Sequence, residues 1–395
     1  MQIKSSELIE SCSHFFTPNY RPADFVLSHG LGSYLYDMEG KEYLDFSSGI
    51  AVNNLGHCHP RITEAVKNQA SKLLHCSNLF WNYPAMKLAK RLCELSFADQ
   101  VLFLNSGSEA NEAALKLARK YFFDQGMPRS KILAFEGGFH GRTMGSLSAT
   151  AKKAFREPFE PLVPGFEFAT FNDESSISKI DKTFAAVILE PVQGEAGVYP
   201  AEEGFVRELR KRCDETSTLL IMDCIQTGMY RTDCLFGYES FGIEPDIVTL
   251  SKALGGGLPL GAMLTKEEIG KSFNIGAHGT TFGGNPVSAA AANAILDVLT
   301  DNRFDDERRR LVHDFGKMVY EKISKLPKVK SLRLKGLMLG IDLDVEDITP
   351  VFDKLRKHGI LVTRIAPRSL RILPPLIAAE RELRFFADGL SAVLN

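Results

Sequence analysis

Lys252 stands between the apolar run IVTL and the glycine-rich stretch ALGGGLPLGAM. An amine at the end of a buried strand is poorly solvated, and desolvation disfavours its charged form. Such a lysine either lays its stem along apolar surface and sends its head to water, or it is an amine suited to Schiff-base chemistry. Asp223 occupies the matching place at the end of LLIMD. A carboxylate there is costly without a donor or a cation, so it caps a turn or holds a positively charged ring nitrogen. Asn105-Ser106-Gly107-Ser108-Glu109 follows the apolar VLFL and opens a helical pattern. Ser106 and Glu109 have capping-box spacing, and the free N–H groups of such a helix start also favour an anion. A fourth cluster, Gly137-Gly138-Phe139-His140-Gly141-Arg142-Thr143, follows the strand-like KILAF. Phe139 is a core residue or an exposed aromatic platform, and Arg142 a surface ion pair or a planar fork for a carboxylate. Each cluster alone has a structural explanation. In this order they supply the separate tasks of holding a flat, phosphate-bearing cofactor whose carbonyl an amine captures.

The elements that must position these residues follow from the hydrophobic pattern. Lys131–Phe135, Ala185–Val192, Thr218–Gln226, Ile247–Ser251 and Gly261–Thr265 read as strands, with helical periods at Glu109–Tyr121 and Glu202–Asp214 between them. Apolar runs without alternation, separated by helices, predict a mostly parallel sheet sandwiched by helices. Ligands in such sheets lie beyond the carboxyl ends of the strands, which is where Asp223 and Lys252 fall. The C-terminal part differs. A long charged helical stretch starts near Asp297, then come the strand-like LKGLMLGIDLD, a helix near Thr349–His358 and short strands in GILVTR and SLRILPP. Near the N-terminus, SYLYDMEGKEYLDFSS reads as a hairpin turning at Glu39-Gly40. The expected organisation is a large α/β domain over 56–290, with residues 1–55 and 291–395 building a smaller α+β domain.

Composition bounds the function. The chain has 395 residues, and its 47 Lys+Arg against 49 Asp+Glu leave a net charge of −2. It therefore lacks the basic field of a nucleic-acid or membrane-surface protein. No apolar run approaches the ~20 residues needed to span a bilayer, and the start MQIKSSELIESCSHFF lacks the pattern of a secretion signal. A cytoplasmic enzyme is expected. The seven cysteines are scattered without a C-x-x-C pair, so neither a metal site nor a disulfide framework is expected. No G-x-x-x-x-G-K-[ST] and no strand-flanked G-x-G-x-x-G is present, which argues against a nucleotide fold.

The sequence resembles the class III pyridoxal-phosphate aminotransferases of fold type I across essentially its whole length. The resemblance is carried by GIAVNNLGHCHP (49–60), LHCSNLFW (74–81), FLNSGSEANEAALKLAR (103–119), FEGGFHGRTMGSLSAT (135–150), ILEPVQGEAGVYP (188–200), SKALGGGLPLGAM (251–263), HGTTFGGNP (278–286) and LRILPPL (370–376). Within the family, GIAVN, SNLFW and FHGRT are most similar to the branch that acts on N-acetylornithine with 2-oxoglutarate. Branches acting on ornithine, succinyldiaminopimelate or 4-aminobutyrate, and a glutamate-semialdehyde type aminomutase, are the alternatives. The resemblance implies that Lys252 carries pyridoxal 5'-phosphate, that Asp223 holds the ring nitrogen, and that Gln226 touches the phenolic oxygen. It implies that Gly107 and Ser108 bind the phosphate, that Phe139 stacks on the ring, and that Arg142 and Thr280 meet the substrate. Arg371 then receives a second substrate carboxylate and Glu195 is its internal counter-ion. A homodimer is implied too, with Thr281 reaching the phosphate of the other subunit. One strand departs from the family's D-E-[VI]-Q-T-G-x-G-R-T-G, because DCIQTGMYRTD (223–233) has Cys224, Tyr230 and Asp233 in place of an acid, a small residue and a glycine. A packed, inert thiol is expected at Cys224.

Overall fold

The runs without polar alternation are buried on both faces. Every residue of Phe184–Leu189, Leu219–Asp223, Ile247–Leu250 and Gly261–Thr265 is buried, as strands covered by helices on two sides require. The computed structural model describes residues 4–395. Its central sheet has seven strands in the order Gln100–Leu104, Gly261–Thr265, Ile247–Leu250, Leu219–Asp223, Phe184–Leu189, Lys131–Phe135, Phe166–Ala169. Gly261–Thr265 runs antiparallel to both neighbours, and the other pairings are parallel. The carboxyl ends Leu104, Phe135, Leu189, Asp223 and Leu250 therefore share one edge of the sheet.

Three strands differ from the sequence pattern. The pairing of Thr218–Gln226 stops at Asp223, because Ile225 and Gln226 turn to face a cavity. Ala185–Val192 splits at Glu190-Pro191, where proline has no N–H for a ladder, and Val192–Gln193 pairs instead with Tyr199–Pro200. Phe166–Ala169 is an edge strand of mixed polarity that the pattern did not mark.

Leu27–Leu31, Tyr34–Asp37 and Glu42–Asp45 form a meander, and Ile360–Leu361 joins it parallel to Glu42–Asp45. Its hairpin turns where expected, with Gly40 at φ 84°. A second four-stranded sheet, Val329–Lys335, Met338–Leu343, Ser369–Ile372 and Thr363–Ala366, lies near the C-terminus. LKGLMLGIDLD is thus a hairpin rather than one strand. Gly336 turns it at φ 56°, where a Cβ would lie 2.7 Å from the Arg231 carbonyl. The charged helix starts at Asn302, not near Asp297. Asp301 accepts from the N–H groups of Arg303 and Phe304 and so separates it from the apolar helix Pro286–Leu299. Among the described residues no helix is long and apolar enough to cross a membrane, and no group of three or more His, Cys, Asp or Glu side chains could hold a metal ion.

Candidate active site

Asp223, 3% exposed at the end of its strand, is held by three N–H donors. His140 Nδ1 and Asn111 Nδ2 each donate to Oδ2 at 2.8 Å, and the Ile225 N–H donates to Oδ1 at 3.1 Å. Asn111 is itself fixed, donating to the His140 carbonyl at 2.7 Å and accepting from Thr249 Oγ1 at 2.8 Å. Sequence reasoning gave neither Asn111 nor His140 a role. Both lie inside the motifs SGSEAN and FHGRT, but only the pairing of distant strands brings them to the carboxylate.

Lys252 follows Ile247–Leu250 after one residue, at φ 43°. A left-handed conformation in a non-glycine costs on the order of 1–3 kcal/mol. It is maintained here by the turn around it: Gly255 and Gly256 donate to the Lys252 carbonyl, and Ser251 Oγ donates to the Leu260 carbonyl. Burial, and then the positive charge of Arg371, push the Lys252 amine down to about 8. At pH 7 about a tenth of it is therefore an uncharged nucleophile, far more than an ordinary lysine offers.

Asp223 and Lys252 line one cavity of about 550 Å³ together with Gly107, Ser108, Phe139 and Gln226. At its floor the helix Gly107–Asp124 begins, with Ser106 Oγ accepting from the Glu109 N–H at 3.2 Å. The reciprocal half of the capping box differs from expectation, since Glu109 accepts from the N–H of Asn105, one residue earlier. The first-turn N–H groups of Gly107 and Ser108 have no intrahelical partner and belong to the cavity wall. Space explains two glycines. A Cβ at Gly107 would lie 2.8 Å from Ile225 Cδ1, and one at Gly141 would lie 2.4 Å from Ser108 Oγ. The donor set fits pyridoxal phosphate: helix N–H groups for the phosphate, a carboxylate for a ring nitrogen, an aromatic face and an amine.

A second recess of about 770 Å³ adjoins it across Phe139 and includes Lys152, Phe155 and Glu195. Arg371, fully buried on Ser369–Ile372, donates from Nη1 to Glu195 Oε1 at 2.5 Å and to Gln226 Oε1 at 3.1 Å. Among the described residues its Nε and Nη2 are buried without a partner. Burial pushes the Glu195 carboxyl up, but the Arg371 guanidinium outweighs it and leaves Glu195 below its ordinary value. Arg142 is exposed, with Cζ 3.6 Å from the Phe155 ring centre and 5.6 Å from that of Phe139. Within one chain Thr280 and Thr281 are not brought to Lys252. They line a separate cavity with Glu109, Glu112 and His278, where Thr280 Oγ1 accepts from Asn105 Nδ2 at 3.0 Å. Cys224 is buried, and burial pushes its thiol up to about 12, which leaves it unreactive.

Comparison with known proteins agrees with this geometry. The family model for class-III aminotransferases matches residues 15–394. The acetylornithine aminotransferase of Caldanaerobacter subterraneus subsp. tengcongensis is 44% identical over 387 residues, 96% of this chain and 97% of that one. The ornithine aminotransferase of Toxoplasma gondii superposes with a TM-score of 0.93 at 32% identity, covering 99% of this chain and 94% of that one. The N-acetylornithine aminotransferase of Stenotrophomonas maltophilia superposes with a TM-score of 0.81 at 35% identity, covering 97% of each chain. A match over nearly the whole length, on a fold that closes around a strand-end lysine, makes this chain a member of the class-III aminotransferases and a pyridoxal-phosphate-dependent enzyme.

Proposed function

We propose that the enzyme moves the amino group from the distal carbon of N2-acetyl-L-ornithine to 2-oxoglutarate, giving N-acetyl-L-glutamate 5-semialdehyde and L-glutamate, a step of arginine biosynthesis. The observation that carries this reading is the Arg371–Glu195 pair placed beside the cavity of Lys252 and Asp223. A pocket for both substrates must offer glutamate a second cation and hide that cation from acetylornithine. Glu195 is the group that hides it. The acetylornithine aminotransferases among the similar proteins carry that donor in their names.

When bound, pyridoxal phosphate supplies a carbonyl that captures the amine and a protonated ring that takes up the electrons released at the reacting carbon. Gly107 and Ser108 hold the phosphate with their free N–H groups, and Phe139 supports the ring face. Asp223, fixed by His140 and Asn111, keeps the ring nitrogen protonated. Gln226 spends its carbonyl oxygen on Arg371, so its amide N–H remains for the phenolic oxygen. Lys252 Nζ would be the base that takes the proton from the carbon bearing the substrate's amine. Arg142 swings from its aromatic rings to the carboxylate farther from the reacting carbon, with Thr280 of the partner subunit beside the substrate.

The active unit in this reading is a homodimer in the cytoplasm, with Thr281 of the partner subunit completing the phosphate site. The large domain spans 56–290, and 1–55 with 291–395 form the smaller one. A panel of amino donors against 2-oxoglutarate, ranked by kcat/KM, tests the substrate assignment, and N-acetylornithine is expected first. A panel led by ornithine, succinyldiaminopimelate or 4-aminobutyrate would reassign the donor, and turnover without 2-oxoglutarate would indicate an aminomutase.

A further inference from the structure

Glu190 closes the buried strand Phe184–Leu189 at the carboxyl edge and lines the same cavity as Lys252 and Asp223, yet the mechanism above does not use it. It is 6% exposed, and its Oε2 accepts from the Phe139 N–H at 2.9 Å. Among the described residues it makes no salt bridge. We propose that Glu190 is a positioning residue: as a neutral carboxylic acid it fastens the Phe139 peptide to the cavity wall and keeps the wall beside Lys252 free of a second negative charge.

The charged and titratable groups around Glu190 are already committed. Glu195 is taken by Arg371 at 2.5 Å, and His140 Nδ1 is taken by Asp223 at 2.8 Å. Asp223 and Glu190 are then two buried carboxyl groups on one cavity whose remaining cation is Lys252, and such a pair does not ionise twice cheaply. Three N–H donors serve Asp223 and one serves Glu190, so the proton belongs on Glu190. In agreement, burial first and the Asp223 charge second push its carboxyl well above the ordinary range. The mechanical consequence falls on Phe139. Gly138 precedes it, and a Cβ there would lie 3.2 Å from His140 Nε2 and 3.8 Å from Glu190 Oε2, so the turn has little room to settle elsewhere. Anchoring that N–H fixes the aromatic face that separates the two recesses. Chemically, an ionised Glu190 would hold Lys252 as an ammonium, whereas a neutral one leaves the amine able to attack.

The proposal rests on Lys252 as the residue that captures the cofactor, and the test separates the two. Full-length protein stripped of cofactor is prepared as wild type, Glu190→Gln, Glu190→Ala and Lys252→Ala. Infrared spectra at neutral pH should show the carbonyl stretch of an un-ionised carboxylic acid in the wild type and its loss in Glu190→Gln. Equilibrium binding of pyridoxal phosphate should weaken about tenfold in Glu190→Ala, the loss of one hydrogen bond to a buried N–H, and less than about threefold in Glu190→Gln, whose amide oxygen still accepts. The rate of covalent capture of pyridoxal phosphate should rise with pH to a midpoint set by Lys252 losing its proton. Glu190→Gln should leave that midpoint in place. No acid band, a midpoint about a unit lower in Glu190→Gln, or equal weakening in the Gln and Ala variants would each overturn the proposal. Covalent capture by Lys252→Ala would instead overturn the reading of the site beneath it.

Discussion

At the residue scale, the pairing of Glu195 with Arg371 at 2.5 Å is, in the proposed reading, what lets one pocket handle two substrates. With acetylornithine bound, Arg371 would be an unpaired buried cation, a costly state, unless Glu195 stays. With glutamate bound, Glu195 must leave. Glu195→Ala is therefore expected to slow the acetylornithine half-reaction while sparing or improving the glutamate half-reaction. Arg371→Ala should chiefly damage the half-reaction with 2-oxoglutarate, by ~2–5 kcal/mol, the cost of truncating one partner of a buried charged pair. Absorbance of the cofactor in each half-reaction separates the two, and equal losses in both halves would leave only a fixed structural pair. The two strand-end residues give sharper outcomes. Lys252→Ala should bind pyridoxal phosphate without a covalent link after borohydride reduction and lose about 10²–10⁴-fold or more in turnover from the missing proton shuttle alone. Asp223→Ala should keep its fold and slow single-turnover proton removal by orders of magnitude, because an unprotonated ring is a poor electron sink. Near wild-type single turnovers would reduce Asp223 to a turn residue.

At the element scale, two arginines tie the C-terminal elements to the loops of the site. Arg333, on Val329–Lys335, forms two short bonds to Asp342 of the facing strand and donates from Nε to the Gly197 carbonyl at 2.7 Å. Gly197 lies two residues from Glu195, so this hairpin sets the loop that carries the counter-ion. Burial pushes the Asp342 carboxyl up, but hydrogen bonds from Arg333, Ser369 and Ser331 outweigh it and hold it far below the usual range. A depressed carboxyl contributes stability in full above its unfolded value of ~4, and that contribution fades as pH falls towards its own lower pKa. The wild type should accordingly lose thermal stability below about pH 4 more steeply than Asp342→Asn. Parallel pH profiles of the two melting temperatures would contradict this. The second tie accounts for two departures from the family strand. Arg308, buried on Asn302–Glu321, pairs with Asp233 at 3.1 Å and with Asp305, and its guanidinium lies 4.4 Å from the Tyr230 ring centre. Tyr230 and Asp233 thus receive a cation from the helix Asn302–Glu321. Arg308→Ala should cost on the order of 2–3 kcal/mol in denaturant unfolding, below the full figure for a buried pair because Asp233 is partly solvated.

At the scale of the whole molecule, one face is unusually apolar. Leu79, Phe80, Trp81 and Tyr83 are exposed, Trp81 at 88%, and Phe282 lies on the same surface. Asn78, Asn82 and Asn285 stitch the segment 74–82 to 280–285 through bonds to the carbonyls of Thr280, Gly284 and Leu74. Exposed patches of this kind mark association surfaces, and this one carries Thr280 and Thr281, which have no place in their own chain's cavity. Trp81 is the only tryptophan, so its fluorescence reports on the face directly. On dilution, emission should shift to the red over the same concentration range in which cofactor is released, and Thr281→Ala should weaken cofactor binding without changing the shift. A fully active monomer would contradict both. The sequence by itself determined most of the central strands, the place of Lys252 and Asp223 at strand ends and the capped helix start at Ser106, because burial on two faces and a glycine-permitted turn leave local patterns. It also marked Glu195 and Arg371, through resemblance. Only the tertiary structure decided what holds Asp223, that Glu190 shares its cavity, that Gln226 bonds to Arg371, and that Thr280 and Thr281 lie apart from Lys252 in one chain. Those relations join residues far apart along the chain, such as Asn111 with Asp223 and Glu195 with Arg371. They depend on strand order and register, which hydrophobic periodicity does not encode.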